Sequence, residues 1–185
     1  MITLPRRRTF AGLAVLGFAL ISTACQAAAS PAQPAAPATA STSKLFLMVD
    51  VVQGSTNLAG DQAAAKGCVL NSRFPRNSQI VWRARVFDPK TGDVMDDKAL
   101  SKVQIQLANG KTTDMKFGPH PKDPPGEAYW TGSWMVPKDQ ATGTLNYKVV
   151  ATAADGRSGE FEPFKVASSL LTITDEVLAD APAKK

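Results

Sequence analysis

Histidine is nearly absent from this chain, with His120 the single example in 185 residues. That scarcity argues against hydrolytic triads, histidine-based acid–base catalysis and copper or zinc centres, all of which need an imidazole beside further convergent groups. Cysteine is almost as scarce, with only Cys25 and Cys68, and no Cys-x-x-Cys-His run is present for haem attachment. An excess of one charge is missing too. Of the 21 Lys and Arg, three are Arg6, Arg7 and Arg8, and the remaining 18 face 16 acidic residues. They form no basic stripe interleaved with aromatics, so the footprint of a nucleic-acid binder is absent. After the first thirty positions no apolar run is long enough to cross a bilayer.

What is present begins with a segment in three parts. Arg6-Arg7-Arg8 is followed by the apolar stretch Phe10 to Ile21, and then by the small residues Ser22-Thr23-Ala24 ahead of Cys25. This order predicts an export signal over residues 1–24, excluded from the fold. Arg7, Arg8 and Phe10 are spaced so that the segment resembles the twin-arginine translocation motif, with general secretory export as the alternative. Ser22-Thr23-Ala24-Cys25 resembles a bacterial lipoprotein cleavage box, which implies a lipid on Cys25. Ordinary cleavage near Ala27 to Ala29 is the other reading.

Residues 25–43 are almost wholly Ala, Pro, Ser and Thr, a composition that builds no core and reads as a disordered spacer. Gln26 after the cysteine fits the outer-membrane sorting of lipoproteins. The expected location is the periplasmic side of the envelope, tethered to the outer membrane. Lipidation of Cys25 would leave Cys68 without an intrachain partner, either buried and inert, the commoner fate, or open to a partner protein.

From Lys44 the apolar period is two. Leu45, Leu47, Val49 and Val51 alternate as one strand face; Ile80, Trp82, Ala84 and Val86 form another, with Arg83 and Arg85 opposite. Val103, Ile105 and Leu107 lead through Asn109-Gly110 to Thr113, Met115 and Phe117. Trp130, Gly132, Trp134 and Val136 follow, then Leu145, Tyr147, Val149 and Ala151. Asp155-Gly156 turns into a last strand around Phe161 to Val166, with Leu171 and Ile173 extending or following it. The pattern predicts an all-β fold over residues 44–174, a single antiparallel sandwich of about seven strands, with a closed barrel as the alternative and a disordered tail at 175–185.

Two stretches carry a family resemblance: Val86-Phe87-Asp88-Pro89-Lys90-Thr91-Gly92 with Val103 and Ile105, and Pro137 to Gly143 with Tyr147, Val149, Ala151, Asp155 and Gly156. They resemble bacterial immunoglobulin-like or fibronectin-III-like domains, and Tyr147 resembles the tyrosine that pins a late strand in such folds. The resemblance implies a fold, not an activity.

Strand alternation gathers the connections at 88–100, 118–127 and 154–157 at one end. Asp88, Asp93, Asp96, Asp97 and Asp155 there are hard oxygen ligands that could hold calcium, although Asp beside Pro or Gly is also ordinary turn chemistry. His120 and Lys122 at that end, and Arg73, Phe74 and Arg76 in the long connection 53–77, are candidates for a partner surface. Tyr129, Trp130 and Trp134 could stack on sugars, but a stripe shared with Val136 reads better as core. No nucleophile, base and orienting group converge, so the chain is expected not to be an enzyme, and no cofactor is implied. The expected role is a noncatalytic envelope module presenting an immunoglobulin-like domain to a protein partner. A small binding protein for calcium, copper or carbohydrate is the alternative.

Overall fold

The computed structural model describes residues 44–60, 62–63, 68–120 and 122–181. The export signal, the spacer, Arg7, Arg8, Phe10 and Cys25 all lie outside the described residues. Among the described residues eleven strands are formed: β1 (Phe46–Gln53), β2 (Arg73–Arg76), β3 (Gln79–Phe87), β4 (Leu100–Leu107), β5 (Thr112–Asp114), β6 (Lys116–His120), β7 (Glu127–Met135), β8 (Gly143–Leu145), β9 (Tyr147–Ala153), β10 (Ser158–Phe161) and β11 (Leu171–Val177).

Two four-stranded antiparallel sheets face each other, one ordered β1-β3-β7-β6 and the other β10-β9-β4-β5. In immunoglobulin lettering these are A-B-E-D and G-F-C-C′, so the fold is an immunoglobulin-like sandwich. The core follows from alternation. Ile80, Trp82, Ala84 and Val86 of β3 are at most 1% exposed, and they meet Val103 and Ile105 of β4 and Val149 and Ala151 of β9 in one apolar cluster. Trp82 stands against Tyr147 of the facing sheet at 5.8 Å, edge to face.

Thr113, Met115 and Phe117, expected on one strand, instead mark a crossing between sheets. β5 pairs with β4 and β6 pairs with β7. Met115 between them is buried, and its amide donates to Val103 O. Phe117, carried into the other sheet, packs against Trp130 at 5.4 Å. The crossing brings Met115 beside Gly132, where a Cβ would meet Ile105 and Met115 side-chain carbons. Glycine is therefore required in the middle of a core-facing row.

A third, smaller sheet has the order β2-β11-β8. β11 runs parallel to β2, the one departure from antiparallel pairing among the described residues, and antiparallel to β8. It adds Phe74, Leu145, Leu171 and Ile173 to the core. The last predicted strand is corrected by this arrangement: β10 stops at Phe161, Phe164 is 83% exposed, and Leu171 and Ile173 belong to the separate β11.

The tail expected to be disordered from residue 175 is fastened through Ala181. Leu178 N donates to Arg76 O, Asn77 Nδ2 donates to Leu178 O, and Ala181 N donates to Asn57 Oδ1. Lys138 and Asp180 add an ion pair at 2.7 Å. Asn77 sits at φ +61°, where asparagine is tolerated, leaving its amide free to reach the tail.

The two main sheets touch at one edge, where Leu45 N donates to Ser158 O at 3.1 Å and a Cβ on Gly159 would collide with Leu45 O. Gly159→Ala is expected to destabilise the fold by about 1–3 kcal/mol through overpacking. Gly118→Ala, where a Cβ meets nothing within 4 Å, should be close to neutral. Phe74→Ala should cost about 3–5 kcal/mol, as for a buried aromatic. Urea denaturation midpoints of the three variants check these values.

Candidate functional site

The loops expected to converge do so. Ala154 N donates to Ala99 O, joining the β9–β10 turn to the β3–β4 loop, and Trp130 Nε1 donates to Met95 O from β7. The acidic residues there serve the protein itself. Arg157 lies between Asp88 and Asp155, at 2.8 and 2.6 Å, and occupies the position in which a cation would have been sought. Asp88 also accepts from Lys90 N, and Asp96 accepts from Lys98 N and Ala99 N. Backbone donors and the guanidinium hold Asp88 and Asp155 below the ordinary value of 3.8, and backbone donors, helped by the charge of Lys98, do the same for Asp96. Asp93 and Asp97 join no ligand set, and among the described residues no group of three His, Cys, Asp or Glu could hold a metal. The proposed calcium site at Asp88, Asp93, Asp96, Asp97 and Asp155 is thus replaced by an arginine clamp between two loops.

The partner-binding residues are not brought together. Phe74 is fully buried, which removes it from any surface. Arg73 is exposed at the free margin of β2, and Arg76 donates to Asp175 O at 2.7 Å in fixing β11. His120 and Lys122 are exposed at the other end of the main sheet, since His120 pairs with Glu127 whereas Gln79, just beyond β2, pairs with Met135. Trp130 and Trp134 are 5% and 8% exposed and therefore core, so they offer no sugar-stacking face.

Cys68, for which burial was the commoner expectation, is free and exposed. It sits at φ +62° where the chain turns to pair with β1, and its amide donates to Gln53 O while its side chain faces outward. Tyr147 is not the corner tyrosine of related sandwiches. Among the described residues its hydroxyl makes no hydrogen bond, and burial, helped by the charge of Asp50, pushes its pKa up to about 12.

A surface that sequence reasoning missed lies on the outer face of the sheet β1-β3-β7-β6. Register aligns Phe46 with Phe87, Met48 with Arg85 and Asp50 with Arg83, and continues the last row to Thr131 and Lys116. Phe46 and Met48 are 57% and 54% exposed. Phe46 stacks loosely on Phe87 at 6.0 Å, and Tyr129 lies 5.8 Å from His120. Arg83 pairs with Asp50 at 3.1 Å and Arg85 with Glu127, which lays both guanidinium groups across the patch. The outer face of the other main sheet is ordinary by contrast. Lys102, Gln104, Gln106, Lys148, Thr152 and Glu160 cover it, with Val150 among them. The alternation of Phe46, Met48, Arg83 and Arg85 is present in the sequence, but it marks a surface only once register sets the two strands side by side.

No protein-family model matches the chain, and no curated protein matches it. Two solved structures are similar at low identity. One is a DUF4426 family protein from Pseudomonas aeruginosa PAO1, at 17% identity over 64% of this chain and 83% of that chain, with a TM-score of 0.35. The other is the Lin-41 filamin domain, at 13% identity over 56% of this chain and 84% of that chain, with a TM-score of 0.29.

The clamp predicts an acid-sensitive contribution to stability. Above the ordinary value of 3.8, Asp88 and Asp155 are charged in folded and unfolded chains alike, and the clamp acts at full strength. As pH falls below that value the unfolded carboxyls take up protons first, and the contribution disappears once the folded ones follow. Arg157→Gln should therefore melt below the parent chain at about pH 5 and above, with the difference vanishing towards pH 2. Thermal melts of both proteins across that range check it.

Proposed function

We propose that this chain is an exported, lipid-anchored, noncatalytic module of the bacterial envelope that docks a protein partner on the outer face of the sheet β1-β3-β7-β6. The observation that carries the reading is the difference between the two outer faces. One is polar throughout except for Val150, as a solvated sheet face should be. The other exposes Phe46 and Met48 beside Phe87, Tyr129, Arg83 and Arg85. Aromatic residues, methionine and arginine are the types enriched at protein interfaces, whereas lysine and glutamate are depleted there. The ion pairs of Arg83 and Arg85 are exposed and contribute little to stability, so their carboxylate partners can be exchanged for groups on another protein.

The address is inferred from Arg7, Arg8 and Phe10, from the small residues before Cys25 and from the Ala/Pro spacer over 26–43. A domain on such a tether, placed outside the cytoplasm by the outer membrane, needs a recognition face more than a reaction centre. The clamp at Arg157 and the burial of Trp130 and Trp134 weigh against the calcium and sugar alternatives.

A photo-crosslinking amino acid at Met48 or Arg85 should yield a defined crosslinked product in cells, while the same residue at Gln104 or Lys148 should not. Equal crosslinking from both faces would overturn the docking surface. Met48→Glu should abolish the product with an unchanged melting temperature. For the anchor, Cys25→Ser should release the protein from the membrane fraction and remove a lipid from its mature mass; retention without any lipid in either form would overturn lipidation.

A further inference from the structure

The contact at Leu45 and Ser158 closes the sandwich edge at one point only. Further along, β10 ends at Phe161 and the chain swings away, while β1 continues through Val49 and Val51. The gap between them is a cavity of about 430 Å³, open on one side. That is the size of small-molecule sites, which are concave and largely apolar with a few placed polar groups. Tyr147, Phe161, Phe164 and Leu171 give the wall aromatic and aliphatic surface, with Asn71 and three serines among them.

Three features of this cavity select a ligand chemistry. First, both charged residues lining it, Asp50 and Glu162, are acidic, and no Lys, Arg or His lines it. Asp50 shares its charge with Arg83 on the outer face, whereas Glu162 has no ion-pair partner among the described residues. Second, Tyr147 is 7% exposed and has no hydrogen-bond partner among the described residues. Its raised pKa keeps the hydroxyl protonated in neutral solution, able both to donate and to accept. The hydroxyl is not sealed from solvent, which leaves it open to a partner from outside the chain. Third, the rings of Tyr147 and Phe161, 6.4 Å apart, both line the cavity. Aromatic faces beside carboxylates attract organic cations and repel anions.

We propose that the cavity between β1 and β10 binds a small organic cation, an amine carrying an apolar body. The apolar part lies against Val49, Val51 and Leu171, the ammonium faces Glu162 and Asp50, and the Tyr147 hydroxyl bonds a polar group of the ligand. This site shares Asp50 with the outer-face docking surface but does not depend on it, because Glu162, Tyr147 and Phe161 belong to the cavity alone.

Titration of the purified protein with 2-phenylethylamine, followed by NMR, tests the proposal against two matched probes, 3-phenylpropionate and 2-phenylethanol. Saturable shifts at Tyr147, Phe161 and Leu171, with the amine binding at least tenfold more tightly than the carboxylate, are expected. Glu162→Gln, a change at an exposed position, should weaken the amine at least threefold without altering the melting temperature. Tyr147→Phe should do the same while the ring packing on Trp82 is retained. Equal or tighter binding of the carboxylate, shifts confined to another surface, or no saturable shift with the amine would overturn it.

Discussion

The contact between Trp82 and Tyr147 is the point on which the sandwich depends. Trp82 has no exposed surface and comes from the central strand of one sheet, while Tyr147 opens the central strand of the other. Their edge-to-face approach sets the separation of the two layers, and the smaller residues Ala84, Val103, Val149 and Ala151 fill the space that this separation allows. Where large residues are fixed in this way, a small one becomes obligatory elsewhere. At Gly132 the layers, and at Gly159 their edges, come too close for a side chain.

The same geometry divides the molecule into a firm end and a looser edge. At the firm end, Arg157 ties two loops through two aspartates and Trp130 reaches up to Met95. Satisfied carboxylates of this kind stiffen turns and are poor starting points for metal recognition. Along the edge between β1 and β10 the layers part, and among the described residues neither the Tyr147 hydroxyl nor Glu162 has a partner there. Candidate chemistry therefore sits where the packing stops, while the loops that gather charge are already occupied.

Much of this was legible in the sequence. β1, β3, β4, β7 and β9 follow from alternation, because each has one face against the core and a slip of one residue would expose Trp82 or Trp134. The turns at Asn109-Gly110 and Asp155-Gly156 were equally plain, with both glycines at positive φ. The crossing at Met115 was not, since a strand that changes sheets keeps its local alternation and only its neighbours change. Nor was the third sheet. In Arg73-Phe74-Pro75-Arg76 the flanking charges suggest a surface, and only pairing with distant β11 reveals that Phe74 turns inward. The outer face lay in view but unread, because exposed Phe46 and Met48 carry meaning only beside Arg83, Arg85 and Tyr129 on neighbouring strands.

The third sheet has a consequence for how the molecule is made. Asn77 and Leu178 are 101 residues apart in the chain and hydrogen-bonded in the fold. Loop-closure entropy disfavours such a contact until the intervening strands have condensed. During synthesis Phe74 has no partner strand until β11 has been made, so a nascent chain carries an uncovered edge at β2 from the time β2 is made until β11 follows it. The order of synthesis thus gives this small sheet the role of a final seal, closed only when β11 reaches β2.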